Sequence, residues 1–92
     1  MVDYQEGSIV SREIIQKKSG TITVFAFDAG QGLSEHKAPF DALVYILDGS
    51  AEIFIDGKMF KVTKGEVIIL PLDVIHELKA KEKFKMALIM IR

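Results

Sequence analysis

The side chains with the widest chemical range here are two histidines, His36 and His76, in a chain that contains no cysteine. An imidazole titrates near neutral pH, donates at one nitrogen while accepting at the other, and ligates transition metals. Thiolate nucleophiles, cysteine-held zinc and disulfides are excluded. Ser34 stands two residues before His36, but no G-x-S-x-G elbow accompanies it. Neither a P-loop nor a dinucleotide-binding glycine fingerprint is present. The chemistry open to the chain is that of two imidazoles: hydrogen bonding, metal ligation or general-base catalysis. All three require a fold that places the rings well.

The elements that must do so read as strands. With 92 residues, 49% of them hydrophobic and 27% charged, the composition predicts one globular domain over 1–92 rather than a disordered chain. Twelve basic residues against thirteen acidic ones create no field for nucleic acid or an anionic membrane. The apolar runs are too short to span a bilayer, and "MVDYQEGSIV" lacks the pattern of a signal peptide. A cytoplasmic location is the expectation.

Short runs rich in β-branched and aromatic residues recur along the whole chain: "SREIIQ", "TITVFAFD", "ALVYIL", "AEIFI", "KMFKV", "EVIIL", "IHELKA" and "FKMALIMI". Glycine or aspartate separates most of them, so the fold class is all-β, a sandwich or barrel. Asp56-Gly57 suits a two-residue type I′ hairpin turn, and Lys64-Gly65 a second tight turn.

Alternation places Ala42, Val44 and Ile46 on one face of "ALVYILD" and Leu43, Tyr45 and Leu47 on the other. Both faces are apolar. In "TITVFAF", Ile22, Val24 and Ala26 likewise oppose Phe25 and Phe27. An outer barrel face facing water is ordinarily polar, so something must cover this one. With no helix to spare, the expected cover is a second copy, making a homodimer.

From Gly30 to Ala80 the spacing resembles the cupin family, small β-barrels with two motifs. The first runs glycine, five residues, histidine, one residue, histidine, three or four residues, glutamate, six residues, glycine. Gly30, His36 and Gly49 match it, while Ala38 and Ala42 stand where the second histidine and the glutamate belong. The second motif is matched by Gly65, Pro71 and His76, with Asp73 in place of a glycine and Ala80 in place of an asparagine. The first motif thus covers 30–49 and the second 65–80. The resemblance implies a double-stranded β-helix, jelly-roll-like cupin barrel.

It also implies a divalent metal held by three histidines and a glutamate, of which this chain keeps only His36 and His76. Alanine has no lone pair to give, and catalytic metal sites ordinarily use at least three protein ligands. The expectation is therefore a binding protein with a cavity lined by His36, His76, Ala38, Ala42, Val44 and Ile46. It would take a small-molecule ligand, with or without a weakly held Mn, Fe, Ni or Zn ion on His36 and His76. The alternative is a metal-dependent oxygenase or isomerase in which a further carboxylate or water completes the set. Asp41, Glu35 and Gln31 lie near in sequence, but strand parity does not decide which way they point.

Overall fold

The computed structural model describes residues 2–91, which form eight strands and no helix. They are β1 (Ile9–Lys17), β2 (Gly20–Phe27), β3 (Gly32–His36), β4 (Asp41–Ile55), β5 (Lys58–Thr63), β6 (Val67–Leu70), β7 (His76–Lys79) and β8 (Phe84–Ile91). Every pairing is antiparallel, and the path β1-β2-β8-β4-β7-β3 curls into a barrel, with β5 and β6 also paired to β4. No helix of the described residues is long and apolar enough to cross a membrane.

The long strand β4 organises the molecule. Its first half, from Asp41 to Gly49, pairs with β8 on one side and, through Ala42–Tyr45, with β6 on the other. Its second half pairs with β5 and β7, so one strand serves both walls. Sequence reading splits this strand at Asp48-Gly49; the structure instead places a bulge there, between Ile46 and Asp48. The extra residue shifts the parity. Ala42, Val44 and Ile46 point inward before it, Ala51 and Ile53 after it, and all five are buried.

Gly49 makes that bulge feasible. Its φ is 71°, and a Cβ added there would lie 2.3 Å from the Lys83 carbonyl oxygen. The expected Asp56-Gly57 turn is present, with φ values of 51° and 78° as a type I′ turn demands. β3 has no counterpart among the expected runs. "GLSEH" has little strand propensity, and its extended form comes from pairing with β7.

The barrel interior is filled by Phe27, Phe84, Met86, Val44, Ile46 and Ile53, with Phe27 and Phe84 stacked at 4.5 Å. Part of the outer face is covered from within the chain. A separate apolar cluster there joins Val24, Ala26 and Ala87 to Val2, with Tyr4 packed alongside. The chain's own N-terminal segment therefore covers part of that face. It is fastened by the Tyr4 hydroxyl, which donates to Asp48 at 2.8 Å, while Lys83 and Lys85 each lie 4.9 Å from its ring centre. Burial, then the bond to anionic Asp48, push the phenol well above its ordinary pKa. Lys83, just before β8, and Lys85 within it thus hold the Tyr4 ring between strand and N-terminal segment.

Candidate functional site

Two connections meet at one end of the barrel, the segment from β3 to β4 and the turn from β6 to β7. Pro71 follows the last residue of β6, as expected of a residue without a ladder donor. Asp73 takes a left-handed φ of 57°, which aspartate tolerates, in place of the family's glycine. The Asp73 N–H donates to the Ala38 carbonyl at 2.8 Å, and the Leu72 N–H donates to Asp41 Oδ1 at 2.9 Å. Asp41 is therefore a brace between the two segments, with its carboxylate engaged away from the histidines. At the far side, Gly30 donates to Ala80 at 2.6 Å and Ala80 to Gln31 at 2.8 Å, joining the start of the first motif to the end of the second.

This framework brings the histidines into direct register, with His36 opposite His76 across β3 and β7. Their Nε2 atoms lie 3.0 Å apart, and the rings meet edge to face with centroids at 4.3 Å. His36 Nδ1 lies 2.7 Å from the Ser34 carbonyl oxygen, and His76 Nδ1 lies 3.2 Å from that of Val74. A carbonyl oxygen only accepts, so both Nδ1 atoms carry hydrogen and both Nε2 lone pairs face each other. Between neutral rings nothing donates across this contact; only an added proton, shared by the two, would close it. Without it, two acceptors converge on one point, an arrangement relieved by any electron-accepting guest.

The rings line a cavity of about 60 Å³, together with Ala38, Ala42 and Val44. Ile46 is a correction: it is packed in the core beneath the cavity and does not line it. Sequence reading missed Leu33, Phe40, Leu88 and the two thioethers of Met86 and Met90. Period-two reading of "FKMALIMI" could have found the last three, because Phe84, Met86, Leu88 and Met90 share the inward face. A wider groove of about 370 Å³ beside Glu52, Glu77 and Lys79 includes neither imidazole.

His36 is exposed, whereas His76 retains only 6% of its accessible surface. Burial lowers the His76 pKa below the usual imidazole value; the Val74 carbonyl opposes this and the His36 ring adds to it. A histidine with a depressed native pKa binds protons more readily when unfolded, so its contribution is present above about pH 6.5 and lost as pH falls through the native value. Unfolding in urea should therefore show stability declining below about pH 6.5. A His76→Gln variant should lack that arm and keep only the carboxylate losses at lower pH. An unchanged decline in the variant would exclude His76 as its source.

The donor set does not fit a metal centre of the kind the motifs imply. Ala38 and Ala42 occupy the positions of the missing imidazole and carboxylate, and no group of three or more His, Cys, Asp or Glu residues is clustered among the described residues. Two nitrogens fall short of the three protein donors that catalytic metal sites use.

A curled antiparallel barrel with motif histidines paired at its mouth defines a class of small β-barrel proteins. This chain belongs to the cupin family, whose domain model matches residues 23–92. It is similar to a cupin 2 conserved barrel domain protein from Leptotrichia buccalis, with 44% identity and a TM-score of 0.96 over 99% of this chain and 44% of that one. A conserved protein of unknown function from Streptococcus pyogenes is 39% identical, with a TM-score of 0.91 over 96% of this chain and 77% of that one. Among curated proteins, polyketide synthase CurC of Streptomyces cyaneus is 27% identical over 62 residues, which are 66% of this chain. The match spans 40% of that relative's length.

Proposed function

We propose that this chain is a ligand-binding cupin whose barrel mouth takes the compact end of a small molecule and holds it through a hydrogen-bond donor. The reading rests on the 3.0 Å approach of the two Nε2 atoms while both Nδ1 atoms are engaged by carbonyls. Two convergent acceptors suit a hydroxyl or amine. The largely apolar wall suits a hydrocarbon body. A cavity of about 60 Å³ has about the volume that two waters occupy in the liquid, so only a few heavy atoms enter. The rest of a longer ligand lies outside, beside exposed His36.

Ethanol and ethylammonium serve as donor probes, and acetonitrile as an acceptor of similar size. Imidazole ¹⁵N resonances of both histidines should shift saturably with the donors and not with acetonitrile. His76→Gln should remove the response. An equal response to acetonitrile, or none to either donor, refutes the reading.

The proposed partner is a second copy of the chain, docked through the part of the outer face that the N-terminal segment leaves uncovered. Strand register aligns Ile15, Ile22, Ile89, Leu43 and Ile69 in one row across five strands. Tyr45 and Val67 flank that row, and Val67 and Ile69 are 57% and 51% exposed. A row of this kind is depleted of charge, as the centre of a homodimer interface is. Sedimentation at tens of micromolar should give a dimer, and Ile69→Glu should give a folded monomer. A monomeric wild type refutes the pairing.

A further inference from the structure

The same cavity holds a donor combination that the proposed ligand reading leaves unused. Besides the two imidazoles, its remaining soft donors are thioethers, and the better placed is Met90. In the ladder between β4 and β8, Met90 lies directly opposite Ala42, the position where the motif has its glutamate. Both side chains line the cavity with His36 and His76. Met86 pairs with Ile46 and lies four residues deeper along the strand. Thus one hard anionic donor is missing, and a neutral sulfur stands beside its position.

Charge decides which ion such a set holds. The imidazoles and the thioether are all neutral, and no acidic residue lines the cavity. The cost of placing an ion in an apolar environment rises with the square of its charge, so a divalent cation is heavily penalised without an anionic ligand. Imidazole with thioether is a donor set that selects Cu(I), whereas carboxylate and carbonyl oxygen suit harder ions. The imidazoles are already oriented as metal ligands usually are, each with its other nitrogen donating to a backbone carbonyl.

The separation of the two nitrogens agrees. With metal–nitrogen bonds of about 2.0 Å, the present Nε2 separation corresponds to an angle of about 97° at the ion. Opening to a trigonal 120° moves the nitrogens apart by only about 0.5 Å. Exposed His36, near the end of β3, can supply that movement.

We infer that His36 Nε2, His76 Nε2 and Met90 Sδ form a three-coordinate site for a soft monovalent cation, Cu(I), at the barrel mouth. The ion enters between two neutral rings with no redox step, supplying the electron-accepting centre that the facing Nε2 lone pairs lack. The inference uses the imidazole pair of the binding reading but goes beyond it, since it depends on sulfur.

The test is an anaerobic titration of the full chain with Cu(I) against bicinchoninate, followed by copper K-edge absorption spectroscopy. The expected result is one Cu(I) per chain with two nitrogen and one sulfur scatterers. Met90→Leu keeps an apolar side chain of similar size and should weaken binding at least about tenfold while losing the sulfur signal. Met86→Leu should bind as the wild type does, and His76→Gln should not bind. Tighter binding of Zn(II) than Cu(I), a sulfur-free shell, or undiminished affinity in a folded Met90→Leu protein overturns the inference. If Cu(I) does not bind while ethanol and ethylammonium still shift the imidazoles, the copper site falls and the ligand reading stands.

Discussion

In an Ala42→Glu variant the metal-free protein is expected to lose about 2–4 kcal/mol, and Zn(II) or Mn(II) should restore most of it. Ala42 is 8% exposed, faces inward and shares the cavity wall with both imidazoles. A carboxylate added there is desolvated, and the apolar wall offers no cation to compensate. It also supplies the third and anionic donor, giving the two-histidine, one-glutamate set that holds zinc in some catalytic sites with a position left open. A cation at about a thousand times its Kd would return about 4 kcal/mol. Urea unfolding with and without metal measures both terms. No metal-dependent gain in the variant would show that the imidazoles do not converge as described, and an equal gain in the wild type would show that the carboxylate adds nothing to the set. The substitution would turn a neutral donor set into one suited to harder ions.

Gly49→Ala should be the most damaging conservative substitution in the chain, costing more than about 3 kcal/mol. A non-glycine residue at positive φ costs about 1–3 kcal/mol by itself. At Gly49 the new methyl would also meet the Lys83 carbonyl oxygen at 2.3 Å and the Phe84 Cβ at 3.2 Å. The Lys83 contact is with backbone, so it cannot be relieved by a rotamer change. Gly57→Ala is the matched control, with φ 78° and no neighbour within 4 Å of the added carbon, and should cost only the conformational part. Equal losses by chemical denaturation would mean that the bulge gives way and the close approach does not matter.

The barrel is legible in the sequence because its signals are local. Alternation in "ALVYILD" marks the buried face of β4, and Asp56-Gly57 states its own turn. Gly30, Gly49 and Gly65 all take positive φ, so half of the motif spacing is a demand of the backbone rather than of a metal. Where sequence reading fails, the deciding contact is distant. β3 carries no propensity signal and is extended because β7 lies beside it. The break expected at Asp48-Gly49 is a bulge because β8 continues alongside. The outer face is partly covered by Val2 and Tyr4, residues whose docking no local pattern announces.

The candidate site divides in the same way. His36, His76, Ala38 and Ala42 could be assigned to one place because their intervals resemble the two cupin motifs. Which atoms face each other could not. The tautomer of each ring follows from the carbonyls of Ser34 and Val74, and the lone-pair convergence follows from the β3–β7 register. Asp41 needed the opposite turn at Leu72 to reveal it as a brace. By itself the sequence determined an all-β fold, because period and turn chemistry are one-dimensional properties, and its resemblance to the cupin motifs implied two histidines at a barrel mouth and the loss of two metal donors. Tertiary structure decided that the histidines touch, that the cavity is small, and that Met90 stands beside the vacated carboxylate position. Those are distances between strands far apart in the chain, and only the closed barrel sets them.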